Sequence, residues 1–132
     1  MASSDARFRV GLIGHGTVGS AFAELLPKQA DRIAVVTGLR PEISGVLTRS
    51  RGSFDEILKR SDLIVELIGG IDPALEYVLR AIESGRHVVT ANKQLLSRHG
   101  EELWDAARAR NVQLRFEAAV AGVIPVIRVL QE

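Results

Sequence analysis

Gly14-His15-Gly16-Thr17-Val18-Gly19 has the G-x-G-x-x-G spacing with which a polypeptide grips a diphosphate. It stands between an apolar run, Phe8 to Ile13, and a segment of helical period that begins near Val18. In a strand–turn–helix of this kind the first glycine permits the tight turn. The second lets the backbone approach a pyrophosphate with no Cβ in the way, and the third lets helix and strand pack closely. Unpaired N–H groups at the helix start, with the positive end of its dipole, then hold the phosphates. The competing reading is a tight turn with no ligand, but one glycine suffices for that and three are present. No Gly-Lys-Ser/Thr follows, which disfavours a kinase-type or Walker loop.

The end of the second apolar run bears on which dinucleotide is held. An acid there would bind a ribose diol, but the run ends Thr48-Arg49-Ser50-Arg51, with no acid. A guanidinium and a hydroxyl from Arg49 and Ser50 suit a 2′-phosphate, so NADP is favoured over NAD. Solvated loop charge explains Arg49 or Arg51 taken singly about equally well. Arg49 follows Gly14 by 35 residues where the fingerprint expects ~20; an extra helical piece at 30–38 accounts for the excess.

Three other loops carry candidates. Ile68-Gly69-Gly70 lacks the side chains that would keep a flat nicotinamide or a ribose away. In Thr90-Ala91-Asn92-Lys93, Lys93 is a proton donor or electrostatic anchor for a carbonyl receiving hydride. A cation at a helix start opposes the dipole, so Lys93 has a local cost that function would explain. Asn92 is suited to cap the same helix. Glu66, inside an apolar strand, reads as a structural hydrogen-bonding group before a catalyst. His15 reads as a tolerated variable position, His87 as a strand-start residue and His99 as a helix-end residue.

These residues must be placed by alternating strands and helices. Phe8–Ile13, Ile43–Thr48, Leu63–Leu67, His87–Thr90 and Gln113–Glu117 read as strands. Between them, Val18, Ala21, Phe22, Leu25 and Leu26 mark one helix face, with Pro27 expected to kink or end it and Gly38 to cap the piece beyond. Ser53-Phe54-Asp55-Glu56 is a capping box. Asp72 is expected to cap a helix with Pro73 at its first position and an apolar stripe of Leu75, Val78, Leu79 and Ile82, stopped at Gly85. A short piece at Gln94–Leu96 precedes a helix over Gly100–Arg110 with Leu103, Trp104 and Ala107 facing inward. The fold class implied is α/β: a Rossmann-like, doubly wound parallel sheet of about five strands; if their order is 2-1-3-4-5, the crevice opens between the first and third.

Composition narrows the classes further. The 132 residues suit one domain, and an apolar share of 46% fills one core. Lys plus Arg number 17 and Asp plus Glu 16, a balance without the basic excess that nucleic acid calls for. With no cysteine and three scattered histidines, a disulfide framework and a zinc cluster are disfavoured. No run approaches the ~20 apolar residues of a membrane span, and the polar start has no signal-peptide core. A soluble, cytoplasmic protein is expected, with residues 1–6 disordered and no membrane or nucleic-acid partner.

Four blocks resemble homoserine dehydrogenase: Gly11 to Ser20, Val65 to Gly70, Val88 to Lys93, and Phe116 to Pro125. They stand in that family's order and cover nearly the whole chain; the last three are far more specific than the glycine block. The resemblance implies reduction of aspartate semialdehyde to homoserine with NAD(P)H, in threonine and methionine biosynthesis. It places the pyrophosphate on Gly14, Gly16, Thr17, Val18 and Gly19, and the 2′-phosphate on Arg49 with Ser50. Ile68, Gly69, Asn92 and Lys93 fall to the nicotinamide side, with Lys93 as the catalytic residue. It also implies a monovalent cation, commonly sodium, on Glu117 and the carbonyls of Val120, Gly122 and Ile124. Residues 1–132 then form a dinucleotide-binding domain whose last part, 124–132, starts the connection to an absent substrate and dimerisation domain. The whole enzyme is expected to be a homodimer and this chain an inactive monomer. An aspartate dehydrogenase-like half-fold and a free-standing dinucleotide-binding module without chemistry are the alternatives. The Thr90–Lys93 and Glu117–Pro125 blocks argue against the first.

Overall fold

The computed structural model of the protein describes residues 6–117. Along the chain run β1 (Ala6–Ile13), α1 (Thr17–Thr37), β2 (Leu39–Leu47), α2 (Phe54–Lys59), β3 (Leu63–Glu66), α3 (Ala74–Glu83), β4 (His87–Thr90), α4 (Lys93–Arg110) and β5 (Leu114–Phe116). All five strands are parallel, in the order β2-β1-β3-β4-β5. The class is the one the alternation predicts, and the order is the one under which the crevice opens between the first and third strands. Ala6, expected to be disordered, already pairs with Leu39. The 124–132 segment expected to lead to a further domain lies outside the described residues.

Strand residues alternate between two apolar layers. Ile13, Ile64, Val88 and Leu114 join the layer under α2, α3 and α4. Val10, Leu12, Leu63, Val65 and Val89 join the layer on the other face, under α1. Burial on both faces is why the strands read as nearly continuous apolar runs.

Two helices expected to break do not. Pro27 lies inside α1, which continues to Gly38, where a left-handed cap donates its N–H to Ala34 O. A proline in a helix interior costs about 3 kcal/mol. Leu26 and Ile33, on either side of it, are 0% and 1% exposed, and burying two such side chains returns about 3–6 kcal/mol. Packing therefore outweighs the local break. The segments around Gln94–Leu96 and Gly100–Arg110 are likewise one helix, α4, with Leu95, Gly100, Leu103 and Ala107 as its buried stripe. That stripe leaves Trp104 on the flank, 37% exposed, not inward as its spacing predicts, and it places His99 inside the helix, not at an end.

α3 also differs in detail. Its buried face is Ala74, Val78, Ala81 and Ile82, so Leu75 and Leu79 are only partly covered. Asp72 caps nothing: Pro73 holds the N-cap position without a side-chain bond. The first turn closes instead through backbone, with Leu75 N–H donating to Ile71 O at 2.8 Å. In α2 the box is half formed. Ser53 Oγ accepts from Glu56 N–H at 3.4 Å, while the Glu56 carboxylate faces Arg60 at 3.8 Å. No helix among the described residues is long and apolar enough to cross a membrane.

The end of the sheet where the strands begin holds the charged groups that tie stability to pH. Asp62 takes the Arg9 N–H at 2.8 Å and the Arg9 guanidinium at 3.2 and 3.3 Å. Burial pushes its carboxyl up, but the Arg9 hydrogen bonds and charge win and hold it below the usual value. His87 Nδ1 accepts the Gln113 N–H at 3.0 Å. Burial lowers its pKa from 6.5, with Asp62 opposing. The unfolded chain thus binds more protons than the folded one at this ring. The His87 contribution is complete above about 6.5 and is lost as pH falls through the lower folded value. Urea midpoints measured from pH 7.5 down to 5 should therefore decline, and the decline should be shallower in His87→Leu. Equal slopes would assign the pH dependence elsewhere.

Candidate functional site

Register sets the site. Leu47, Ile13, Glu66, Thr90 and Phe116 pair in one row across the sheet. The ladder runs one residue further, with Gly14 N–H on Leu47 O and Leu67 N–H on Ile13 O, both at 2.8 Å, and Glu117 N–H on Thr90 O at 3.0 Å. All the loops that follow the strands therefore rise from one edge. The chain leaves β1 over one face through α1 and returns from β2 to β3 over the other through α2. Helices on opposite faces part here, and this is where a ligand crevice opens in such sheets.

A cavity of about 480 Å³ occupies that place. Gly14, His15 and Gly16 form the wall after β1, and Leu47, Thr48 and Arg49 the wall at the end of β2. Leu67, Ile68 and Gly69 close it after β3, with Asp72, Pro73 and Tyr77 on the approach to α3. Of the predicted site residues, the structure thus brings Gly14, Gly16, Arg49, Ile68 and Gly69 around one space. Thr17, Val18 and Gly19 open α1 beside it, and Ser50 follows Arg49 in the exposed turn. Asn92 and Lys93 stand outside the walls, at the start of α4 on the same edge of the sheet. Among the cation positions, Glu117 is the last described residue, while Val120, Gly122 and Ile124 lie outside the described residues. No group of three or more metal-ligating side chains occurs among the described residues.

The three glycines of the loop meet different demands. Gly14 has φ +104°, and a Cβ on it would sit 2.9 Å from Ile68 Cγ2. Gly19 would place a Cβ 2.5 Å from Gly14 O, so helix and turn touch there. Gly16 is neither strained nor crowded: φ is −79°, and nothing lies within 4 Å of its absent Cβ. The fold itself has no need of glycine at 16. As the N-cap of α1 it makes no side-chain bond, and the first turn holds no acidic residue, so the helix dipole faces the crevice unopposed.

Opposite, the 48–51 turn is shaped by one hydroxyl. Thr48 Oγ1 accepts from Ser50 N–H at 3.3 Å and from Arg51 N–H at 2.9 Å, and Thr48 N–H donates to Arg51 O at 2.9 Å. The turn leaves Arg49 exposed on the cavity rim.

Glu66 is fully buried. Its Oε2 accepts from Ile68 N–H at 3.0 Å and Gly69 N–H at 3.1 Å, and its Oε1 from Thr90 Oγ1 at 2.6 Å. Asn92 caps α4 by accepting Leu95 N–H at 3.0 Å and gives its amide to Gly70 O at 2.6 Å. The expected roles of Glu66 as a hydrogen-bonding group and Asn92 as a cap both hold.

Sequence reasoning did not single out Leu47, Asp72, Pro73 or Tyr77 for this site. Tyr77 reaches the cavity because its ring stacks on Phe54 of α2, centroids 4.4 Å apart, with the Arg80 guanidinium 4.9 Å from the Phe54 centroid. Pro73 and Tyr77, four residues apart across the first turn of α3, were the available signal. His15, read as a tolerated variable position, is also a wall residue.

The family model described as homoserine dehydrogenase, NAD binding domain, matches residues 14–117. Homoserine dehydrogenase of Pseudomonas aeruginosa is 41% identical, over 94% of this chain and 32% of its own length. That of Neisseria gonorrhoeae is 40% identical, over 93% of this chain and 32% of its own. The crystal structure of a homoserine dehydrogenase from Thiobacillus denitrificans superposes with a TM-score of 0.80 at 35% identity, covering 86% of this chain and 30% of that one. The chain spans about a third of the length of the curated relatives it matches. It belongs to the homoserine dehydrogenase family and is that family's NAD-binding domain.

Proposed function

We propose that this domain binds NADPH in preference to NADH, and that the whole enzyme uses it to reduce aspartate semialdehyde to homoserine. The observation that carries the reading is the cavity between β1 and β3, with the side-chain-free Gly16 at one wall and Arg49 at another. Gly14 makes the turn, its own N–H spent on Leu47 O, and the N–H groups of Gly16, Thr17, Val18 and Gly19 at the α1 start hold the diphosphate where no Cβ stands in the way. Arg49 and Ser50 grip the 2′-phosphate, the guanidinium by paired hydrogen bonds.

A bound reduced nicotinamide supplies the hydride. Ile68 and Gly69 present a flat wall to it, and Asn92 fixes the start of α4, from which Lys93 projects. Lys93 stabilises the charge that develops on the carbonyl oxygen and supplies its proton. By the resemblance, Glu117 and the carbonyls of Val120, Gly122 and Ile124 would hold a monovalent cation such as sodium, a donor set that suits a hard ion. By the same resemblance the enzyme is a cytoplasmic homodimer, and the isolated chain an inactive monomer.

Titrating the chain with NADPH and NADH by nicotinamide fluorescence tests the reading. NADPH should bind at least about tenfold more tightly, a difference of roughly 1.4 kcal/mol. Absence of binding of either at millimolar concentration would reject it.

A further inference from the structure

The apolar strand β3 ends on a carboxylate that the fold does not need for packing. Leu63, Ile64 and Val65 are all fully buried, and so is Glu66. An aliphatic side chain there would avoid the cost of taking a carboxylate out of water. Three donors nevertheless converge on its two oxygens, and each belongs to a loop of the crevice or to the strand beside it. Two are the successive N–H groups of Ile68 and Gly69. The third is the Thr90 hydroxyl, which sits opposite Glu66 in the β3–β4 register.

The chain of bonds goes on. Thr90 Oγ1 accepts Asn92 N–H at 3.0 Å, and the Asn92 amide returns to Gly70 O. Glu66, Thr90, Asn92 and the 68–70 loop thus close a ring that spans β3 and β4. No buried side-chain polar atom among the described residues lacks a partner, so the ring is fully satisfied, the condition under which a buried network rigidifies its surroundings.

The bonds have two effects at the cavity. They draw the Ile68 and Gly69 N–H groups down into the sheet, which leaves phosphate recognition to the amides of the glycine loop. They also hold Gly69 and Gly70 at φ +75° and +72°, with nothing within 4 Å of where their Cβ atoms would be. The wall is open and preformed. Because Asn92 precedes Lys93, the same ring fixes the point from which Lys93 leaves the sheet.

We infer that Glu66 is a positioning residue for the dinucleotide: through its bonds to Ile68, Gly69 and Thr90 it locks the loops after β3 and β4 into one binding surface. The inference rests on the NADPH reading above.

The test measures NADPH affinity of this chain and its Glu66→Leu, Glu66→Gln and Thr90→Val variants, each well below its own unfolding midpoint so that the folded population is complete. Adenosine 2′,5′-bisphosphate, which reports on the Arg49 end and the glycine loop and lacks the nicotinamide half, is titrated in parallel. Glu66→Leu should lose at least about tenfold in NADPH affinity while adenosine 2′,5′-bisphosphate stays within about twofold. Glu66→Gln, whose amide oxygen can still accept both loop N–H groups, should recover most of the loss. Should Glu66→Leu fail to fold, Thr90→Val, which removes the Glu66 link between the two loops and leaves the Asn92–Gly70 bond, must weaken NADPH in the same selective way.

NADPH affinity within twofold of the parent in these variants would overturn the inference, as would an equal loss for both probes. A Glu66→Gln variant as weak as Glu66→Leu would also overturn it, by assigning the effect to charge and not to position. Failure of the parent chain itself to bind NADPH is a different result, and it would sink the cofactor reading instead.

Discussion

Gly16→Ala and Gly19→Ala, two additions of a single methyl group three residues apart, should give opposite phenotypes. At Gly19 the new Cβ meets the Gly14 carbonyl oxygen at 2.5 Å. Neither partner can rotate away, since one is helix backbone and the other the turn that feeds it. The start of α1 must shift, and overpacking of this kind costs about 1–3 kcal/mol. At Gly16 the methyl enters empty space from an ordinary extended conformation. Loss of a good N-cap residue and the smaller entropy of the unfolded alanine chain nearly cancel, leaving stability within about 1 kcal/mol. Dinucleotide affinity is the quantity that should fall at Gly16, by at least about tenfold, because the methyl occupies the path of the diphosphate. Urea unfolding and NADPH titration of the two variants check both halves. A Gly16→Ala chain that binds NADPH normally would move the diphosphate away from this turn.

Arg49→Ala should change the choice of cofactor more than the strength of binding in general. The guanidinium lies on the cavity rim, on a turn whose shape comes from Thr48 and so survives the substitution. A hydrogen bond to a charged group is worth about 1.5–3 kcal/mol, which predicts roughly a 10- to 150-fold loss of NADPH affinity. NADH has no 2′-phosphate to lose and should bind within about threefold of its parent value. A parallel fall for both cofactors would make Arg49 a general electrostatic contributor. No fall for either would make it a solvated loop charge.

The parts of this molecule that could be read in advance are those fixed by near neighbours in sequence. Alternating apolar runs and helical stripes pointed to about five parallel strands, and the glycine loop fell between the expected strand and helix. Thr48-Arg49-Ser50-Arg51 ended the second strand as expected, though the hydroxyl that shapes the turn went unnoticed. What was misread depends on distant partners. Pro27 is tolerated because Leu26 and Ile33 are buried against the sheet, which no local rule weighs. Trp104 lies on the flank because α4 is buried along Leu95, Leu103 and Ala107, a line set by packing against α3 and the sheet. Tyr77 joins the cavity wall only because α2 places Phe54 beneath its ring. Glu66 stood out as a carboxylate among aliphatics, yet its bond to Thr90 follows from a strand register that spacing does not reveal.

The unequal dressing of the sheet has a thermodynamic consequence. Three of the described helices share one face, whereas α1 is the helix of the described residues that serves the other. The N-terminus of that same helix is the cradle proposed above for the diphosphate. On that proposal a bound dinucleotide fastens α1 at its head while the apolar layer fastens it along its length. Ligand occupancy and the opening free energy of the whole α1 side are linked, and each can be read out through the other.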